Sequence, residues 1–235
     1  MITANLHQVQ SRISAACASA ERPEESVRLL AVSKTFGADA VREAFMAGQR
    51  AFGENYVQEG VEKIAALANL RTGADGIEWH MIGPLQSNKT RVVAEHFDWV
   101  HSVDRLKIAQ RLSEQRPDHL PPLQLCLQVN ISGEATKSGL LPADVAEIAR
   151  TVSALPRVVL RGLMAIPEPA ETLDVQRAPH RALHTLMQSL KEAGLPLDTL
   201  SIGMSADLEA AVMEGATMVR IGSAIFGSRP PTTPA

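Results

Sequence analysis

Eight apolar runs of strand length punctuate this chain, and seven are followed by helical periodicity before the next begins. That alternation narrows the fold more than any other feature of the sequence. The runs occupy residues 27–35, 50–54, 77–83, 99–103, 123–130, 158–166, 200–204 and 218–222. Helical spacing fills 39–48, 55–70, 87–96, 104–115, 142–154, 176–193 and 206–215, with Asp104 as the expected N-cap of its segment. A further amphipathic helix, carrying Leu6, Val9, Ile13 and Cys17 on one face, precedes the first run over residues 3–20. Strands that alternate with helices form parallel sheets with right-handed crossovers. Eight such units in 235 residues fit a closed barrel. An open doubly wound sheet satisfies the same alternation, but no strand leads into a G-x-G-x-x-G turn. The expected fold is therefore α/β, a (β/α)8 TIM barrel with an extra N-terminal helix. It is expected to form one domain over residues 1–227, with a disordered proline-rich tail at 228–235.

Composition removes several classes of function. The formal net charge is -3 and aromatic residues make up 3%, so neither a basic surface for phosphate backbones nor a stacking platform for bases is expected. No stretch reaches membrane-spanning length, and residues 1–20 interleave polar side chains with apolar ones, unlike a secretory signal. Cys17 and Cys126 have no second cysteine or histidine at metal-ligand spacing, and both read as reduced, buried thiols. The expected setting is cytoplasmic, with no metal, no membrane and no nucleic acid.

In a barrel, chemistry gathers at the carboxyl ends of the strands. Those ends supply Lys34, Glu54 and Asn55, Gly83, Ser102, Asn130, Met164, then Gly203, Met204 and Ser205, then Arg220, Gly222 and Ser223. Lys34 is the one amine of the set. Taken alone it would simply extend its ammonium into water. Ser205, ahead of a helix, is expected to act as an N-cap, and Gly222 and Ser223 offer a side-chain-free backbone and a hydroxyl. The loops after strands seven and eight are the usual phosphate site of this fold. A phosphate site beside a strand-end lysine points to a phosphorylated aldehyde held as a Schiff base, for which pyridoxal 5'-phosphate (PLP) is the obvious candidate. Desolvation and a neighbouring Arg220 would both favour the neutral amine that the condensation requires. Arg220 either pairs with a carboxylate or donates to the ring nitrogen; in the second case the ring stays unprotonated and becomes a weak electron sink. Asn55 either bonds the ring oxygen or caps its helix. His80, with Glu78 and Ile82 on its face, reads as a packed, hydrogen-bonded core histidine, with proton transfer as the other role. Lys137 reads as a solvated loop residue within reach of the mouth, and Met164 as packing.

Several motifs, in this order, resemble those of the pyridoxal phosphate homeostasis proteins. They are Ala31-Val32-Ser33-Lys34-Thr35, Phe52 through Glu59, His80 through Lys89, Gly162-Leu163-Met164, Gly203 through Asp207, and Val219 through Ser223. The resemblance spans residues 5 to 227. It implies a PLP fold-type III barrel like the N-terminal domain of alanine racemase, without the second, β-rich domain. It also implies PLP on Lys34, phosphate contacts from Ser205, Gly222 and Ser223, and Arg220 facing the ring nitrogen. The implied role is non-catalytic: a monomer that buffers PLP in vitamin B6 homeostasis and releases it to apo-enzymes. The alternative is a low-activity racemase or Schiff-base lyase. A racemase of this fold needs an opposing tyrosine. The one tyrosine here, Tyr56, is expected to pack under its helix.

Overall fold

In the computed structural model, which describes residues 1–228 except 72, 74, 135 and 136, eight parallel strands close into a barrel in sequence order. They are β1 (Arg28–Val32), β2 (Ala51–Glu54), β3 (Glu78–Met81), β4 (Trp99–Val103), β5 (Leu123–Gln128), β6 (Val158–Met164), β7 (Thr199–Ser201) and β8 (Met218–Ile221). The helices are α1 (Ile2–Ser19), α2 (Ala38–Met46), α3 (Val57–Ala66), α4 (Thr90–His96), α5 (Leu106–Gln115), α6 (Pro142–Ser153), α7 (Leu173–Glu192), α8 (Leu208–Met213) and α9 (Ser223–Phe226). The barrel is therefore closed, and the open-sheet arrangement is excluded. The residues of the expected tail from Arg229 onward lie outside the described residues.

Closure is made by β1 and β8, with Leu30 opposite Arg220 and Ala31 opposite Ile221. Because side chains alternate along a strand, each strand feeds two layers. Leu29, Ala31, Phe52 and Val219 face outward into one large core shared with the helices, which contribute Val41, Ile64, Val93 and Leu183. The opposite faces fill the lumen, where Leu30, Val32, Ala51, Ile82 and Met218 form one cluster and Trp99, Cys126 and Met164 another. Met164 is thus a packing residue, and both cysteines are buried free thiols. Helix α1 buries Leu6, Val9, Ile13 and Cys17, as its periodicity predicts, and packs across α8, α9 and α2.

Local details differ from the expectations where tertiary contacts override propensity. Asp104 does not cap α5; Arg105 holds the N-cap position, and Asp104 accepts a bond from the Arg105 guanidinium at 2.7 Å. Nor does Ser205 cap α8. Asp207 occupies that place, and its carboxylate accepts the Met204 N–H at 2.7 Å, which closes a tight turn ahead of the helix. Strand β7 ends at Ser201, so Gly203, Met204 and Ser205 form a loop. The φ of +92° at Gly203 is a left-handed conformation that glycine adopts without strain. Tyr56 is 59% exposed and does not pack under its helix.

Strands β6 and β7 approach so closely at Gly162, opposite Thr199, that a Cβ on Gly162 would lie 1.7 Å from the Thr199 carbonyl oxygen. Gly162→Ala must push the two strands apart. It is expected to cost at least about 2 kcal/mol, read as a lower midpoint of guanidinium unfolding. An unchanged midpoint would contradict this packing.

Candidate functional site

At the carboxyl end of the barrel lies a cavity of about 340 Å³, a size suited to a small cofactor. Lys34, Asn55, Met204, Ser205, Arg220, Gly222 and Ser223 all line it, with Val32, Phe36, Ile82 and Ile166 as apolar walls. Every residue singled out from the sequence as cofactor-binding therefore reaches one space. A cavity of about 490 Å³ opens at the opposite end, among Arg28, Glu78, Asp98, Trp99, Arg116 and Arg161. Its charged groups already have partners, as in Arg28–Glu78 at 2.7 Å, Arg71–Asp98 at 2.6 Å and Arg161–Asp198. The smaller cavity holds the convergent amine, hydroxyls and guanidinium, and it is the better candidate.

Local structure explains how each group arrives. Lys34 follows β1 by two residues and is half-buried. Gly222 follows β8 directly, and a Cβ there would stand 3.0 Å from the Val32 carbonyl oxygen, so the packing of β8 on β1 already favours glycine. Ser223 is exposed at the cavity rim and Ser205 is half-buried. Ser205 is held from behind by Arg12 of α1, which donates to the Ser205 carbonyl at 2.7 Å and grips Glu209 with two bonds of 2.6 Å. Because α8 spans only residues 208–213, its dipole adds little, and the hydroxyls and local amides carry any anion binding here.

Arg220 forms the cavity floor. Burial pulls its pKa down to about 10, so the guanidinium still carries its charge at neutral pH. No carboxylate is bonded to it among the described residues. Nη1 donates to the Ser201 carbonyl at 2.5 Å and to Ser201 Oγ at 2.9 Å, and Nη2 donates to the Ala165 carbonyl at 2.9 Å. Three of its five N–H groups are thereby used, and the donors that remain belong to a residue lining the cavity.

Beneath Arg220 runs a buried polar chain whose key members sequence reading missed. The Glu78 carboxylate can only accept, so His80 donates to it from Nε2 at 2.7 Å, and burial keeps that ring neutral, which leaves its Nδ1 an acceptor. His80 Nδ1 then takes the Nε2 proton of His101 at 2.9 Å, and Nδ1 of that equally neutral ring takes the Ser201 hydroxyl proton at 2.8 Å, while Ser201 Oγ accepts from Arg220. Each bond fixes the next, so both rings are neutral Nε2–H tautomers. His80 is therefore the hydrogen-bonded core histidine that its strand position predicts. His101 and Ser201 carried no local signal beyond their position on strands. Lys137 turns to a neighbouring cavity and pairs with Glu134 at 2.9 Å and Glu168 at 3.5 Å; it is part-buried rather than solvated. Asn55 lines both cavities and does not cap α3, where Tyr56 holds the N-cap place.

Residues 4–230 match the family described as alanine racemase, N-terminal domain. The chain is also 58% identical over 234 residues to the pyridoxal phosphate homeostasis protein of Pseudomonas aeruginosa, covering 100% of this chain and 98% of that one. It belongs to the pyridoxal phosphate homeostasis protein family. A solved relative of this family member, PipY of Synechococcus elongatus, is 40% identical and has been determined both without and with PLP bound. The TM-scores are 0.85 and 0.83, over 97% of this chain and 100% of that one. Alanine racemase of Clostridium difficile, at 17% identity and a TM-score of 0.67, covers 95% of this chain and 57% of its own, and shares the fold-type III barrel. No helix among the described residues is long and apolar enough to cross a membrane.

The neutral histidines have a consequence for pH. Burial lowers the pKa of His80 despite the pull of Glu78, and it lowers His101 well below the usual histidine value, with His80 and Arg220 adding to the effect. The unfolded chain takes up protons near pH 6.5 that the folded chain refuses, so their contribution is complete above that pH and lost below it. Unfolding free energy should fall by up to about 1.4 kcal/mol per pH unit for each histidine as pH drops below about 6.5. Burial opposes ionisation of Glu78, but His80 and Arg28 outweigh it and hold the carboxyl at about 2, so its share is lost only as pH falls from 4.5 towards 2. Imidazole nitrogen spectra at pH 7 should show both rings neutral and protonated at Nε2. A doubly protonated ring there would contradict the chain.

Proposed function

We propose that this protein is a PLP-binding protein of intracellular vitamin B6 homeostasis, and that the cavity at the carboxyl end of the barrel is its PLP site. The observation that carries this reading is the convergence of Lys34, Arg220, Ser205, Gly222 and Ser223 on one cavity of about 340 Å³. When bound, PLP supplies an aldehyde, which a primary amine captures reversibly as a carbon–nitrogen double bond with release of one water, and a phosphate. Lys34 is the amine placed for that link. Ser205 and Ser223 offer hydroxyls to the phosphate, the Gly222 backbone approaches without a side chain, and Asn55 stands at the wall beside the ring.

The residues fit the group in charge as well as in shape. A guanidinium buried without a bonded carboxylate is costly, and an electron-rich ring nitrogen at its unused donors offsets part of that cost. Arginine donates and does not protonate the nitrogen, so Arg220 favours holding the ring over drawing electrons into it. Tyr56 lies outside the set of residues lining the cavity, so the sole tyrosine of the chain is not placed as an opposing base. Both features support a role in holding PLP and passing it to apo-enzymes over turnover of amino acids. We propose the same role for the protein as a cytoplasmic monomer.

The test is reconstitution with PLP, borohydride reduction and peptide mapping. The pyridoxyl group is expected on Lys34 and is expected to be missing from Lys34→Ala; its appearance on Lys137 instead would reassign the site. Ser205→Ala and Ser223→Ala should each weaken PLP binding about tenfold, as loss of a bond to a charged group does. Deuterium exchange at the α-carbon of added amino acids should be absent. Exchange that depends on Lys34 would establish the enzymatic alternative, a racemase or lyase.

A further inference from the structure

The two peptide groups that flank the Lys34 Cα are both held by one buried charged cluster. The Ser33 carbonyl, in the peptide entering Lys34, accepts a bond from Lys63 Nζ at 2.7 Å. The Thr35 N–H, in the peptide leaving it, donates to Glu59 Oε1 at 2.6 Å. Lys63 and Glu59 stand one turn apart on α3 and are paired at 2.6 Å. Lys63 gives its third proton to Glu54 Oε1 at 2.8 Å, and the same oxygen accepts from Ser33 Oγ at 2.5 Å. All three ammonium protons of Lys63 are thus committed, and two of its acceptors, Glu54 and Glu59, reach Ser33 and Thr35 in turn.

The clamp lies just past β1, which ends at Val32; the Ser33 N–H still bonds the Gly53 carbonyl of β2 at 3.0 Å, but the Ser33 carbonyl and the Thr35 N–H turn to the cluster. The arrangement is costly. The Lys63 and Glu54 side chains are 6% and 0% exposed, and burial pushes the Glu54 pKa up against the pull of Lys63 and Ser33. Glu54 Oε2 and Thr35 Oγ1 are buried without a hydrogen-bond partner. Thr35 itself has φ of +70°, a left-handed conformation that a β-branched residue adopts only when its surroundings impose it. Fixing the carbonyl before Lys34 and the N–H after it fixes the Cα–Cβ direction of Lys34. Only its side-chain torsions are then left to bring the amine to a target.

We propose that Glu59 and Lys63 are positioning residues that aim Lys34 into the cavity, and so set how readily its amine reaches an aldehyde bound there. This rests on the reading of Lys34 given above. Glu59 is the better site for a test, because its side chain is 26% exposed and its loss disturbs the core less than loss of Lys63.

Wild type, Glu59→Ala and Glu59→Gln are compared with two probes: PLP, and pyridoxine 5'-phosphate, which presents the same ring and phosphate but an alcohol in place of the aldehyde. Glu59→Ala should weaken PLP binding about tenfold or more and slow the growth of the covalent absorbance, while the alcohol binds within about twofold of wild type. Glu59→Gln keeps an oxygen for the Thr35 N–H and should recover most of the PLP affinity. Equal loss for both probes would mean a general structural role and would overturn the proposal. So would a glutamine variant as poor as the alanine one, or an alanine variant that binds PLP like wild type. Should Glu59→Ala fail to fold, Glu59→Asp, one methylene short of Thr35, carries the same comparison. A wild-type protein in which borohydride leaves no pyridoxyl group on Lys34 would instead remove the reading on which the proposal rests.

Discussion

Everything at the candidate site depends on the seam where β8 pairs with β1. The register of Leu30 with Arg220 and Ala31 with Ile221 joins strands separated by nearly the whole chain. Because every strand is parallel, closure puts all the carboxyl ends at one mouth. Lys34, two residues past β1, then stands beside Gly222 and Ser223, just past β8. The seam also explains the glycine: any side chain at 222 would press on the Val32 carbonyl. A fold that left this pair open would separate the amine from both late anion-binding loops.

The site rests on two buried polar systems that handle charge in different ways. Under Arg220, a single cation is followed by neutral donors and acceptors, Ser201, His101 and His80, and the chain ends on Glu78, a carboxylate already paired with Arg28. The charge stays concentrated at the cavity floor, where it can act on a ligand. Beside Lys34, by contrast, Lys63 is surrounded by Glu54 and Glu59, and the cluster spends its hydrogen bonds on backbone groups. One system sets the electrostatics of the cavity, and the other sets the geometry of the residue at its edge.

A third support comes from outside the barrel. Arg12 of α1 grips Glu209 and the Ser205 carbonyl, so the added N-terminal helix is tied to the loop that carries a candidate phosphate ligand. The Asp207 carboxylate takes the Met204 N–H on one oxygen and faces His180 at 2.9 Å on the other. These contacts stand in for the serine cap expected there, and they hold a loop that the short α8 could not order alone.

Much of the fold and the candidate site was legible in the sequence because both depend on local pattern and direction. Alternating apolar runs and helical spacing specify eight βα units, and parallel strands place Lys34, Asn55, Met204, Ser205, Arg220, Gly222 and Ser223 at one end. The amphipathic stripe of α1 and the burial of both cysteines follow from composition and spacing in the same way. Closure, the partners of Arg220, the clamp on Lys34, and the positions of Tyr56 and Lys137 were decided only in three dimensions. Bonds such as Lys63 to Ser33 or Ser201 to His101 join residues 30 and 100 positions apart, across the register of a closed sheet. Local periodicity specifies which face a side chain takes. It carries no information about which residue, from another strand or helix, will stand opposite.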